Sequence, residues 1–242
     1  MPVPSEKELL DNACHFGHRK EKWNPKMAPY LFGVRRGIHI FDLSQTRTHL
    51  DEVCAALSKL QAEGKTILFV STKQQSIPMI EKVASALNQP MVTKKWIPGL
   101  LTNWSTIKRR LKYYLDLQRS FQTGEVEKYT KKEQTGLRKK LTKLDTALSG
   151  VAKMTGLPDA VFVLDAMRDR VAVLEAAKLK IPIFGICDSN ADPDHFTAFI
   201  PANDDAVKAL ALILDTIEQE LGHDHGKKEQ TYSEEESPAM VV

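Results

Sequence analysis

Lys94-Lys95-Trp96-Ile97-Pro98-Gly99-Leu100-Leu101-Thr102-Asn103-Trp104-Ser105-Thr106-Ile107-Lys108-Arg109-Arg110 is the stretch where the chain changes character. Before it run apolar, β-branched segments suited to a buried sheet; after it runs a long charged pattern with helical spacing. Pro98-Gly99 supplies a turn, because Pro fixes φ and Gly tolerates positive φ, and Thr102 or Asn103 can then cap a helix that opens with Lys108, Arg109 and Arg110. Two indoles offer stacking surface and the Lys and Arg side chains offer phosphate contacts, so the stretch suits an RNA surface. The competing reading packs Trp96 and Trp104 between sheet and helix.

Downstream, Ile107, Leu111, Tyr114, Gln118 and Phe121 are spaced 4,3,4,3. After a turn near Gly124, Thr130-Lys131-Lys132-Glu133 forms a capping box, and Leu137, Leu141, Leu144, Leu148 and Val151 repeat the same spacing. Two such segments predict an antiparallel coiled-coil helical hairpin over 102–153. About 20 residues per arm at 1.5 Å each give an arm of roughly 30 Å. From Thr102 to Lys153 there are 13 Lys/Arg against 5 Asp/Glu, whereas from Met154 to Leu221 there are 5 against 12. A basic element beside an acidic one points to a polyanionic partner for the former, with a solvated charged helix as the plain alternative. Tyr113 and Leu117, off the predicted seam, leave room for a reading of the hairpin as a protein-docking arm.

Upstream, Ser5-Glu6-Lys7-Glu8 is a capping box that opens a short helix to about Ala13. Residues 14–27 lack periodicity and read as an ordered loop, in which His15, His18, Lys20, Lys22, Trp23 and Lys26 face RNA. Cys14, His15 and His18 match no standard zinc spacing. Tyr30–Val34 and Ile38–Leu43 flank Arg35-Arg36-Gly37, a β-hairpin whose tip presents two arginines. Ser44 is then the expected cap of a helix ended by Gly64, and Thr66–Val70 is a continuous apolar strand. Strand and helix alternate again past Leu157: strands at 159–164 and 181–187, a short one at Phe199-Ile200-Pro201, and a last helix capped by Asn203 or Asp204. Successive strand–helix units predict a doubly wound parallel sheet with right-handed crossovers, residues 1–101 and 154–221 forming the core. The Gly-, Glu-, Lys- and Ser-rich segment 222–242 reads as a disordered tail.

Composition narrows the class. A 42% hydrophobic chain of 242 residues can bury a substantial core. Three widely spaced cysteines imply no disulfide framework and suit a reducing compartment, and neither a membrane-length apolar run nor a signal-peptide core is present, so a soluble cytoplasmic protein is expected. The strand ends carry Ser71-Thr72-Lys73, Asp165 and Asp188, where open α/β sheets bind ligands, so a metal-dependent hydrolase or nucleotide-binding enzyme is the alternative function. Against it, no glycine-rich phosphate loop follows any strand and no nucleophile–base set is evident. Asp at a strand end also caps the next helix or binds loop amides.

Six pieces of the chain, in order, resemble the bacterial ribosomal protein S-two family: His15-Phe16-Gly17-His18 with Trp23-Asn24-Pro25-Lys26-Met27; His39-Ile40-Phe41-Asp42-Leu43; Phe69-Val70-Ser71-Thr72-Lys73; Trp96 to Trp104; Gly156-Leu157-Pro158-Asp159-Ala160; and Ile200-Pro201-Ala202-Asn203-Asp204-Asp205-Ala206. The resemblance implies a flavodoxin-like, Rossmann-like three-layer core with a coiled-coil insertion, no catalysis and no cofactor. It also implies a structural place on small-subunit rRNA beside other small-subunit proteins, including the large S-one protein. Under it, Lys20, Lys22, Lys26, Arg35, Arg36, Lys94, Lys95, Lys108, Arg109 and Arg110 would neutralise phosphates. Trp23, Trp96 and Trp104 would stack or brace, and His15, His18 and Asn103 would complete the rRNA-binding set. A homo-oligomer is not expected.

Overall fold

The computed structural model describes residues 3–234. The Ser5–Glu8 capping box opens α1 (Glu6–Asp11), as the sequence predicts. Three short strands follow, β1 (Phe16–Arg19), β2 (Leu31–Arg35) and β3 (Ile38–Phe41), paired antiparallel in the order β1-β3-β2. Arg36 and Gly37 both take positive φ, 52° and 77°, which matches the twist of the strands they join and leaves Arg35 and Arg36 exposed at the tip. The ordered loop expected over 14–27 is corrected in its content: it holds β1 and the 3-10 turn Lys20–Lys22, and it runs into a second 3-10 turn, Pro25–Tyr30. Phe-Gly-His-Arg lacks the β-branched alternation of a self-evident strand, and it is extended because β3 pairs with it at Phe16–Ile40 and Arg19–Ile38.

The chain then runs through α2 (Leu43–Ala62), β4 (Ile67–Val70), α3 (Ile77–Ala86), β5 (Met91–Val92), α4 (Trp104–Gln122), α5 (Lys131–Leu148), β6 (Ala160–Val163), α6 (Arg170–Lys178), β7 (Ile183–Cys187), β8 (Ala198–Pro201) and α7 (Val207–Glu234). The cap of α2 is Asp42, not Ser44: its carboxylate accepts from the Ser44 N–H at 3.0 Å. The five later strands form one parallel sheet in the order β5-β4-β6-β7-β8. Period-two alternation sorts its side chains. Ile67, Phe69 and Phe162 join the buried faces of α2, α3 and α7, whereas Leu68, Val70, Val161 and Val163 join α6 and the bases of α4 and α5. Helices thus cover both faces, giving three layers.

Helices α4 and α5 pair antiparallel. Tyr114 Oη donates to Asp145 Oδ1 at 2.7 Å, and further out the Arg138 guanidinium lies 5.8 Å from the Phe121 ring centroid. The predicted seam needs one correction: Leu117 is buried with Ile107, Leu111 and Tyr114, while Tyr113 stays exposed. A strict seven-residue repeat drifts about 20° per heptad on a straight helix, which brings Leu117 inward beside Gln118. The pair is also not free of the core. Ile107, Leu111, Tyr114, Leu148, Val151 and Met154 belong to the same apolar cluster as Leu68 and Val163. Behind α5, Gly150 rests on the edge strand β5, where an added Cβ would meet Met91 O at 2.1 Å.

The segment from Gly222 that composition reads as disordered has helical backbone through Glu234; residues 235–242 lie outside the described residues. No helix among the described residues is long and apolar enough to cross a membrane.

Candidate nucleic-acid interface

The turn at Pro98-Gly99 is built around a carboxylate from a distant helix. Glu175 Oε1 accepts from Trp96 Nε1 at 3.0 Å and from Gly99 N at 2.7 Å; Oε2 accepts from Leu101 N and Thr102 N, both at 3.1 Å, and from Thr102 Oγ1 at 3.0 Å. Burial alone would push the Glu175 carboxyl up, but the donors from Trp96, Gly99, Thr102 and Leu101 outweigh it and hold the group below its ordinary range. A charged acceptor of five hydrogen bonds fixes the backbone from which α4 departs. Glu175 was not singled out in the sequence, because 73 to 79 residues separate it from its donors and no local pattern marks it.

That anchor sorts the aromatic and cationic residues of the stretch. Trp96 is 7% exposed and its N–H is spent on Glu175, so it braces the turn. Trp104 is half-buried against the same cluster. Asn103 precedes α4 with its side chain exposed and making no cap hydrogen bond. Lys94, Lys95, Lys108, Arg109 and Arg110 are all exposed. Thr102, the other expected cap, is instead a donor to Glu175.

The N-terminal residues divide less kindly for the sequence reading. His18 Nδ1 lies 3.1 Å from Asp188 Oδ1 and Nε2 lies 3.7 Å from Asp205, while the His18 N–H donates to Ser189 Oγ at 2.7 Å. The hydrogen bond to Asp188 raises the imidazole to about 9 against the opposing effect of burial, so the ring is charged at neutral pH and clamps β1 onto the end of β7. Its place is internal. Lys26 is neutralised where it stands: its Nζ donates to both Asp192 oxygens at 3.0 Å and pairs with Asp194. Trp23 stacks on His39 with ring centroids 4.9 Å apart, and His15 lies against Phe16, half-buried. Lys20, Lys22, Arg35 and Arg36 remain exposed. Both cationic groups sit at the carboxyl rim of the parallel sheet, Lys94 and Lys95 just past β5 and β1 against the residues that follow β7.

The strand-end carboxylates turn inward. Lys73, 9% exposed, donates to Asp204 O at 2.7 Å, Asp205 Oδ1 at 2.6 Å and Asp165 Oδ2 at 3.4 Å. Asp165 also accepts from Arg168 N at 2.8 Å, and Asp169 accepts from Thr72 N at 3.0 Å and Thr72 Oγ1 at 2.8 Å. Burial, then the nearby Asp188 and Asp165, raise Asp204 well above a normal carboxyl. His18, Asp188 and Asp204 offer ligand atoms within 4.8 Å of one another and could hold a divalent ion; in the protein as described, the His18 imidazolium and Lys73 supply the positive charge there. Cys14, by contrast, is buried beside Leu9 and Ala209, with burial pushing its thiol up to about 12, and does not join that group.

The family model for ribosomal protein S2 matches residues 9–222. The small ribosomal subunit protein uS2 of Bacteroides fragilis is 44% identical over 207 residues, covering 86% of this chain and 74% of the relative. The uS2 protein of Bacteroides thetaiotaomicron matches to the same extent.

Proposed function

Since the chain belongs to the ribosomal protein S2 family, we propose that it is a structural constituent of the small ribosomal subunit that holds rRNA through the carboxyl rim of its sheet and through its helical hairpin. The observation that carries this reading is the Glu175 cradle. It presents a run of exposed cations, Lys94, Lys95, Lys108, Arg109 and Arg110, that form no ion pair among the described residues. Phosphate contacts of this kind position a protein on RNA without requiring base recognition. Arg35, Arg36, Lys20 and Lys22 extend the set. His18, Lys26 and Trp96 leave it, their polar groups being committed internally.

The same geometry argues against turnover of a small molecule. A catalytic carboxylate needs a free oxygen and an approach for substrate. Asp165 and Asp169 spend their oxygens on Lys73, Arg168 N and Thr72, and Asp188 is 1% exposed. In this reading the protein works in the cytoplasm as one copy per subunit, with no resident cofactor. The hairpin acts as an arm on rRNA, and neighbouring small-subunit proteins, the S-one protein among them, meet the acidic and apolar faces. Quantitative uptake of the purified protein into small subunits lacking it, with retention on rRNA that weakens as salt rises, is the test. Uptake without any RNA contact would move the protein to a purely protein-bound place.

A further inference from the structure

The sheet reverses its winding between β4 and β6. The chain leaves β4 through α3 to β5 on one side and returns through the hairpin to β6 on the other. Open α/β sheets bind ligands outside the carboxyl ends of their strands at such a switch point. Here a cleft of about 220 Å³ opens at that place. Thr72 and Arg168 border it from the two strand ends, and Lys94 and Lys95 from the segment after β5. Pro98 and Val171 make an apolar wall, Val171 being 48% exposed.

We propose that this cleft seats one nucleoside monophosphate unit, its phosphate held by Lys94, Lys95 and Arg168 and its base along Pro98 and Val171, and that in the ribosome the unit is an unpaired nucleotide of small-subunit rRNA. The proposal rests on the ribosomal reading above and adds a site to it. Lys94 and Lys95 form no ion pair among the described residues. Arg168 Nε donates to Thr72 Oγ1 at 3.2 Å, which fixes the guanidinium at the rim and leaves the other donors of its fork for a ligand. The one carboxylate in the cleft, Asp169, is 3% exposed and has both oxygens occupied by Thr72, so the cations outnumber it three to one. Pockets for free drug-sized ligands run to about 300 Å³ and more. A smaller, cation-rimmed cleft with one apolar wall suits a single nucleotide whose chain is held elsewhere, because RNA-binding proteins commonly splay out single bases and seat them on side chains.

The test places a photoreactive benzophenone side chain at residue 171 of the full chain, follows its uptake into small subunits, and in parallel titrates the isolated protein with AMP and UMP by calorimetry. Irradiated subunits are expected to give a crosslink confined to one rRNA nucleotide. It should fall at least tenfold when Arg168→Gln and Lys95→Ala are added and stay unchanged with Lys26→Ala, whose charge already faces Asp192 and Asp194. Saturable binding of AMP or UMP without an RNA crosslink would overturn rRNA as the source of the nucleotide. Normal uptake with a crosslink only to protein, or with neither crosslink nor nucleotide binding, would overturn the cleft while leaving the ribosomal role intact. Failure of the unsubstituted protein to enter subunits would overturn both.

Discussion

The indole N–H of Trp96 donates to Glu175 Oε1 at 3.0 Å, and that carboxylate gathers the backbone of the following turn. A Gln at this position would oppose an amide NH2 to donors that need an acceptor. Hydrogen bonds to charged groups contribute about 1.5–3 kcal/mol each, and several change together, so Glu175→Gln should lower unfolding free energy by about 3 kcal/mol. Urea denaturation measures this. The variant should also bind rRNA more weakly, because Lys94, Lys95 and the first turn of α4 lose their fixed base. A stability change under about 0.5 kcal/mol, the range of ordinary surface substitutions, would show that the cradle is incidental.

The clamp between His18 and Asp188 makes stability depend on pH. The folded imidazole titrates at about 9 against an ordinary 6.5, so its contribution is complete below pH 6.5 and is lost as pH rises through about 9. Discounted for partial exposure, it is about 2 kcal/mol. Asp204, also raised on folding, acts in the same direction as pH rises. The Tm of the wild-type protein should therefore fall between pH 6.5 and 9 more steeply than that of His18→Ala. Parallel curves for the two proteins would contradict the clamp.

Gly150 tests whether the helical pair is anchored to the sheet. A Cβ there would stand 2.1 Å from Met91 O, so the turn behind α5 must lift from β5. Overpacking of this kind costs about 1–3 kcal/mol. Gly150→Ala should show that loss in denaturant, together with faster amide exchange in β5 and in the base of the hairpin. Gly136→Ala, with open space around it, should be neutral or slightly stabilising.

Much of this architecture was legible in the chain, and the gaps have identifiable causes. Thr66–Val70, Asp159–Leu164 and Ile181–Cys187 read as buried strands because continuous apolar runs are what a doubly covered parallel sheet requires, and strands are observed at Ile67–Val70, Ala160–Val163 and Ile183–Cys187. The strand Phe16–Arg19 was hidden because its pairing partner, not its own pattern, makes it extended. Leu117 was misplaced by a strict heptad, and Ser44 was preferred over Asp42 although both types cap helices. Among the candidate site residues, exposure was foreseeable for Arg35, Arg36, Lys108, Arg109 and Arg110. The internal duties of His18, Lys26 and Trp96 were not, because their partners Asp188, Asp192 and Glu175 come from remote parts of the chain.

Those internal duties yield a contrast in salt dependence. Each lost phosphate contact flattens the slope of log affinity against log salt by about one unit. Arg109→Ala and Arg36→Ala should each do so on rRNA. Lys26→Ala should leave the slope unchanged, because its charge already faces Asp192 and Asp194. Equal effects from all three would mean that net charge alone governs the association.

Reconstitution of small ribosomal subunits depleted of their own uS2-type protein is the most direct measurement of the central claim. Sedimentation should show one copy of this chain per subunit, with the combined Arg35→Ala, Arg36→Ala, Arg109→Ala and Arg110→Ala variant taken up poorly and released at lower salt than wild type. Wild-type protein that stays at the top of the gradient, or a variant that enters and remains as well as wild type with an unchanged salt slope, would contradict it.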